Sequence, residues 1–226
     1  MQLSRSVGRA CLLAVLVCSA ACDSVQNGTH AFESGDYKIA IKILKPLAEK
    51  GEATAQVLVG RMFLEGHGVK EDHAKAVHWF ERAAEQRSTD GQGRLGWCYK
   101  NGLGVARDYR VAARWFQAAA EGDDAWAQHQ LGHLYRYGKG VTQDDAQAAR
   151  WWLEAAEDGH VFAQANLAEL YRLGQGVEQD CVSAYFWYTV SGIDTTNDER
   201  RLCSERMNSE ELAGAEHRIV AWRSGK

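Results

Sequence analysis

A single proline, Pro46, stands against 22 glycines in this chain. Proline breaks helices from within and glycine ends them, so this balance leaves room for many helices separated by short glycine turns. Runs of Lys and Arg are missing, there is no basic stripe, and the net charge is −4. Nucleic acid is thereby excluded as the expected partner. The apolar run Ala10–Cys18 is too short for a mature membrane-spanning helix, which needs ~20 residues. Cys-x-x-Cys spacing is absent as well, which argues against a thiolate metal site or a dithiol redox motif. What is present points to a packed, folded chain, with 46% hydrophobic and 25% charged residues.

The first stretch reads as a targeting segment rather than structure. Arg5 and Arg9 form a positive head, Ala10–Cys18 an apolar core, and Ser19-Ala20-Ala21 a small-residue stretch before Cys22. Residues 1–21 are therefore expected to be a signal peptide of lipoprotein type, with Cys22 as the lipidated residue. Ser19 stands where Leu is usual, so ordinary cleavage near Ala20 or Ala21 is the alternative. Either route takes the chain out of the cytoplasm. The expectation is a periplasmic protein held to the membrane only through a lipid on Cys22.

Internal repetition decides the architecture. At a period of 36 the chain aligns on itself without a gap: Trp79, Trp115, Trp151 and Trp187 share one column and are expected to be largely buried. Paired glycines share two more, as in Gly66 and Gly68 or Gly138 and Gly140. Further columns hold Gln56, Gln92, Gln128 and Gln164, then Asp72, Asp108, Asp144 and Asp180, then Ala76, Ala112, Ala148 and Ala184. Each has a physical role. Ala127, Leu131, Leu134 and Tyr135 fall at helical spacing and define a first helix, A. Gly138-Lys139-Gly140 ends it, Val141 plugs the loop into the core, and Asp144 caps a second helix, B. Ala148, Trp151, Trp152 and Ala155 give helix B one apolar face.

One such pair cannot bury its apolar face, but a stack can. The expected fold is all-α: a right-handed α-solenoid of antiparallel helix pairs. Its parts are a half-repeat over 25–52, repeats over 53–88, 89–122, 123–158 and 159–192, and capping helices over 193–226. In the half-repeat, Phe32 points inward. Thr196 with Glu199, and Asn208 with Glu211, have capping-box spacing, and Leu212, Ala215, Ile219 and Trp222 line one side of the last helix.

These residues resemble the Sel-one-like repeat family, a relative of the tetratricopeptide repeat. The signature reads Leu131-Gly132-x-x-Tyr135-x-x-Gly138-x-Gly140-Val141-x-x-Asp144-x-x-x-Ala148-x-x-Trp151-x-x-x-Ala155-Ala156 and recurs four times. The last unit departs from it, with Ala168 for the helix-A glycine and Ser191-Gly192 for the closing Ala-Ala pair. The resemblance implies a scaffold or adaptor that binds proteins and does not catalyse. A second implication, from cysteine-rich relatives, is an envelope enzyme or binder acting on peptidoglycan or β-lactams. Those relatives carry paired cysteines in each repeat, and this chain does not.

Family geometry places the A helices on the concave surface. The face of helix A away from the core then gives a partner-binding groove of Arg94, Trp97, Asn101, Trp126, Gln130, His133, Tyr137, Phe162, Asn166 and Glu169. Trp97 and Trp126 lie outside the repeat columns, and aromatic and Arg side chains among polar ones suit protein binding. No Ser/His/Asp or Cys/His set stands out, so no catalytic residue is assigned. His129 and His133 lie one turn apart, but no third ligand is evident. They read as exposed groove histidines, with no metal and no cofactor. Cys98 falls in the core column of Met62, Leu134 and Leu170 and reads as a buried thiol. Cys181 and Cys203 lie at neighbouring helix ends and are expected to pair as a disulfide or to remain separate thiols.

Overall fold

The computed structural model describes residues 24–225; the leader and Cys22 lie outside them. Helix and short connections alternate throughout the described residues. They divide between Arg107 and Asp108 into two compact units.

The first unit holds α1 (24–33), α2 (Tyr37–Glu49), α3 (Ala53–Glu65), α4 (His73–Glu85) and α5 (Thr89–Asn101). The second holds α6 (Tyr109–Ala120), α7 (Ala125–Tyr137), α8 (Asp145–Glu157), α9 (Val161–Leu173) and α10 (Cys181–Ser191). A 3-10 turn (Asp194–Thr196), α11 (Asn197–Ser204) and α12 (Ser209–Ser224) complete it. Successive helices pack on one another from α2 to α5 in the first unit and from α6 to α11 in the second, and α12 packs on α10. Among the described residues, no helix is long and apolar enough to cross a membrane.

The columns act as local physics demands. Asp72, Asp108, Asp144 and Asp180 cap α4, α6, α8 and α10, each accepting a bond from a backbone N–H of the first turn. The first glycine of each pair ends helix A in the left-handed conformation. The second has another duty. A Cβ on Gly140 would lie 2.2 Å from the Tyr109 backbone, and one on Gly176 2.2 Å from that of Asp145. The loop therefore lies directly on the first turn of the preceding B helix, which only a residue without a side chain permits. Buried glutamines tie the other end. The amides of Gln56, Gln128 and Gln164 donate to the carbonyls of Ala48, Ala120 and Ala156, at the close of the preceding B helix.

Three details differ from the sequence reading. Trp79, Trp151 and Trp187 are buried, but Trp115 is only half-buried. The deeper aromatic column is the next one: Phe80, Phe116, Trp152 and Tyr188 are at most 3% exposed. These rings sit on the thin side of helix A, where a Cβ on Gly60 or Gly132 would meet Phe80 at 2.5 Å or Trp152 at 2.4 Å. Thr196 forms no capping box, because its hydroxyl donates to the Ile193 carbonyl at 2.7 Å instead. Asn208 and Glu211 do form theirs. Beyond it, Ala215 and Ile219 are buried, and Trp222 meets Trp187 edge-on at 5.4 Å.

Candidate functional site

The proposed groove residues are shared between the units. On α5, in the first unit, the Arg94 guanidinium pairs with Asp90 at 2.9 Å. Half-buried Trp97 carries the Lys100 ammonium 5.3 Å from its ring centre, and the Asn101 amide donates to the Trp97 carbonyl. The other seven residues lie on α7 and α9 of the second unit.

Asp124 starts α7 by accepting from the Ala127 N–H, and the His160 imidazole starts α9 by accepting through Nδ1 from the Ala163 N–H. One turn of helix separates each groove residue from the next. Tyr137 and Phe162 are 61% and 60% exposed, far more than aromatic side chains with a core to join. Gln130 is buried, so it belongs to the packing rather than to a partner surface. Trp126 is half-buried, with its ring edge-on to Phe116 at 5.7 Å. His129 also corrects the sequence reading. It is buried rather than exposed, because α9 follows one repeat later and brings His160 and Asn166 over it. His133 remains half-buried above it.

Beside Phe162 lies a cavity of 340 Å³, lined also by Asn166, Glu169, Tyr188, Thr195 and Glu199. Its floor is electrostatically fixed. The Glu169 carboxylate accepts from Arg172 at 2.8 and 2.6 Å and from the Tyr188 hydroxyl. Burial works to raise the carboxyl pKa, but the bonds from Arg172 and Tyr188 prevail and hold it below the usual range. Burial and the nearby Glu169 charge push the Tyr188 phenol well above its ordinary value. Thus Glu169 is ionised and engaged, and Tyr188 is neutral. Neither group is thereby an activated base or nucleophile.

Sequence reasoning missed Tyr188 and Thr195. Tyr188 did carry a signal, since it is the only hydroxyl-bearing residue in the deep aromatic column of Phe80, Phe116 and Trp152. Thr195 carried none, because it lies beyond the repeats. The three cysteines of the described residues are free thiols. Cys98 is fully buried and its pKa is pushed up to about 12. Cys181 and Cys203 are free but touch, and burial followed by the Cys181 neighbour lifts Cys203 to about 12. Among the described residues, no three His, Cys, Asp or Glu side chains are grouped to hold a metal ion.

Comparison with known proteins agrees with this construction. The Sel1 repeat model matches over 53–88, 89–124, 127–160 and 161–190, more than half of the chain. A Sel1 repeat protein of Oxalobacter formigenes is similar at 29% identity and a TM-score of 0.71, over 75% of this chain and 68% of that one. A second structure is c5321 of Escherichia coli, described as a protective antigen present in uropathogenic strains and displaying an SLR fold. It is 34% identical with a TM-score of 0.75, over 89% of this chain. The present chain spans 44% of that protein's length. A putative Sel1 repeat protein of Klebsiella pneumoniae shares the fold at 24% identity and a TM-score of 0.56, over 81% of this chain and 93% of that one. No curated protein sequence matches. The chain belongs to the Sel1 repeat family, tetratricopeptide-like helical solenoids that generally serve as non-catalytic scaffolds binding protein partners.

Proposed function

We propose that this protein is exported to the bacterial cell envelope, anchored through lipidated Cys22, and holds a protein partner on the α7–α9 face of its second unit. The observation that carries the docking surface is Phe162, 60% exposed at the rim of the 340 Å³ cavity. Leaving a large ring in water forgoes roughly 1.5–3 kcal/mol that burial would supply, which a partner can recover on docking. The cavity suits one apolar side chain of the partner, with the hydroxyl of Thr195 and the carboxylate of Glu199 at its margin to meet polar groups. Export rests on Arg5, Arg9, the apolar run Ala10–Cys18 and the small residues before Cys22.

The test is site-specific photocrosslinking in intact envelopes. A crosslinker at Phe162 is expected to trap a discrete partner, and one at Val220, equally apolar and 66% exposed on α12, is expected to trap none. Phe162→Ala should weaken capture at least about tenfold, or ~1.4 kcal/mol. Its folding stability should stay within ~0.5 kcal/mol of wild type, as for other exposed substitutions. Equal trapping from both positions would end the docking proposal. Labelled palmitate should enter the wild type and not Cys22→Ala; equal labelling would end the anchor.

A further inference from the structure

Three polar side-chain heads converge in the second unit at a spacing that the repeat does not require. His129 and His133 face each other across one turn of α7, with their Nε2 atoms 3.2 Å apart. The amide head of Asn166, from α9, lies 3.1 Å from the His129 Nε2 and 3.3 Å from that of His133. The three atoms form a nearly equilateral triangle. Ligands of a tetrahedral ion with bonds of about 2.0–2.1 Å sit about 3.3–3.4 Å apart. The donors are therefore already at the spacing of one face of such a site.

We propose that His129, His133 and Asn166 form a binding site for a divalent transition-metal ion of the zinc or copper type. Two imidazoles at i and i+4 on one helix reach a common ion by the geometry of the helix alone. Nitrogen donors select such ions over calcium or magnesium. The Asn166 oxygen and nitrogen exchange places by a half-turn of the amide, and that turn presents Oδ1 to the ion. The third donor is an amide rather than an acid or thiol, which is why no three-residue His, Cys, Asp or Glu cluster exists here.

The surroundings hold the rings in place. His160 stacks on His129 at 4.5 Å, and the Trp152 ring stands edge-on to His133 at 5.2 Å. The Trp152 indole N–H also donates to the His129 carbonyl at 3.1 Å. Such outer contacts fix ligand orientation before a metal arrives. The fourth position opens toward the exposed face, because His133 and Asn166 are only half-buried. All three ligands are neutral, so the ion keeps its charge and favours water or an anionic donor there. Repetition does not account for these residues. The positions equivalent to His129 hold Val57, Gly93 and Ala165, those equivalent to His133 hold Arg61, Trp97 and Glu169, and those equivalent to Asn166 hold Leu58, Arg94 and Gln130.

The experiment is calorimetric titration of the purified mature chain with Zn²⁺, with Co²⁺ absorption as a spectroscopic check. A Cys181→Ser, Cys203→Ser background removes the two touching thiols as competing ligands. The expected result is one ion per chain and tetrahedral Co²⁺ bands. His133→Ala and Asn166→Ala should each weaken binding tenfold or more. Asn166→Asp supplies an anionic oxygen at the same place and should tighten it, a gain that misfolding cannot imitate. Phe162 lies 6.3 Å from the His129 ring, so the separating control is Thr195→Ala at the cavity lining, which should leave metal affinity unchanged while the docking surface loses a polar contact. Absence of Zn²⁺ binding in the folded wild type would overturn the site, leaving a hydrogen-bonded His–Asn cluster. So would binding that is indifferent to His133→Ala and Asn166→Asp.

Discussion

Gly138 and Gly140 stand two residues apart, both at positive φ, yet different neighbours constrain them. A methyl on Gly138 would meet the Gln143 Cβ at 3.2 Å and its backbone no closer than 3.5 Å, whereas one on Gly140 would lie 2.2 Å from the Tyr109 backbone. Gly138→Ala should therefore cost about 1–2 kcal/mol, the penalty for a side chain in the left-handed region. Gly140→Ala should cost about 3 kcal/mol or more, because backbone must also move. Denaturant unfolding of the two variants checks this, and equal losses would contradict the close contact. The two glycines were legible as a turn, but the contact was not, since it joins consecutive repeats. The same holds for the histidines. His129 and Asn166 are 37 residues apart and His133 and Asn166 are 33 apart, close to the repeat length. The period alone would have brought them together on neighbouring A helices. Within a single helix the two histidines show no third donor, because Asn166 belongs to the next repeat.

Helices were the most legible elements, because a cap needs only local sequence. The four aspartates each precede a B helix by one residue. Where local sequence offered the Thr196 hydroxyl two partners, the Ile193 carbonyl took it, a competition that spacing does not resolve. The terminal elements also carry the pair of touching thiols. Cys181 opens α10, and Cys203 lies buried in α11. In an oxidising compartment these two are expected to form a disulfide that closes the chain over 181–203. A loop of that size should stabilise the fold by about 3 kcal/mol in the chain-entropy account. Mass spectrometry of the exported protein without reductant should show the two peptides joined, and reduction should lower its melting temperature. Two thiols that both react with a thiol reagent after unfolding would refute the pairing.

At the scale of the whole molecule, the principal helix contacts join elements adjacent in the chain, with α3–α5 and α10–α12 the near exceptions. A fold with this contact pattern has stability that is close to a sum of neighbour terms. A local insult should therefore open local structure and leave distant repeats closed. Gly176 offers a clean probe, because a Cβ there would strike the Asp145 backbone at the start of α8. Gly176→Ala should accordingly loosen α8, α9 and α10, which share that loop and the buried cluster of Trp152, Leu167, Leu170 and Trp187. Amides there should exchange with solvent at least about tenfold faster, or ~1.4 kcal/mol less protected. Amides of α2, α3 and α4 should keep their protection, since their own cluster of Phe32, Leu44, Val59 and Met62 contains none of the disturbed residues. Hydrogen exchange read by mass spectrometry separates these segments. Uniform acceleration from α2 to α12 would mean that the chain opens only as a whole, and the neighbour-sum description would have to be abandoned.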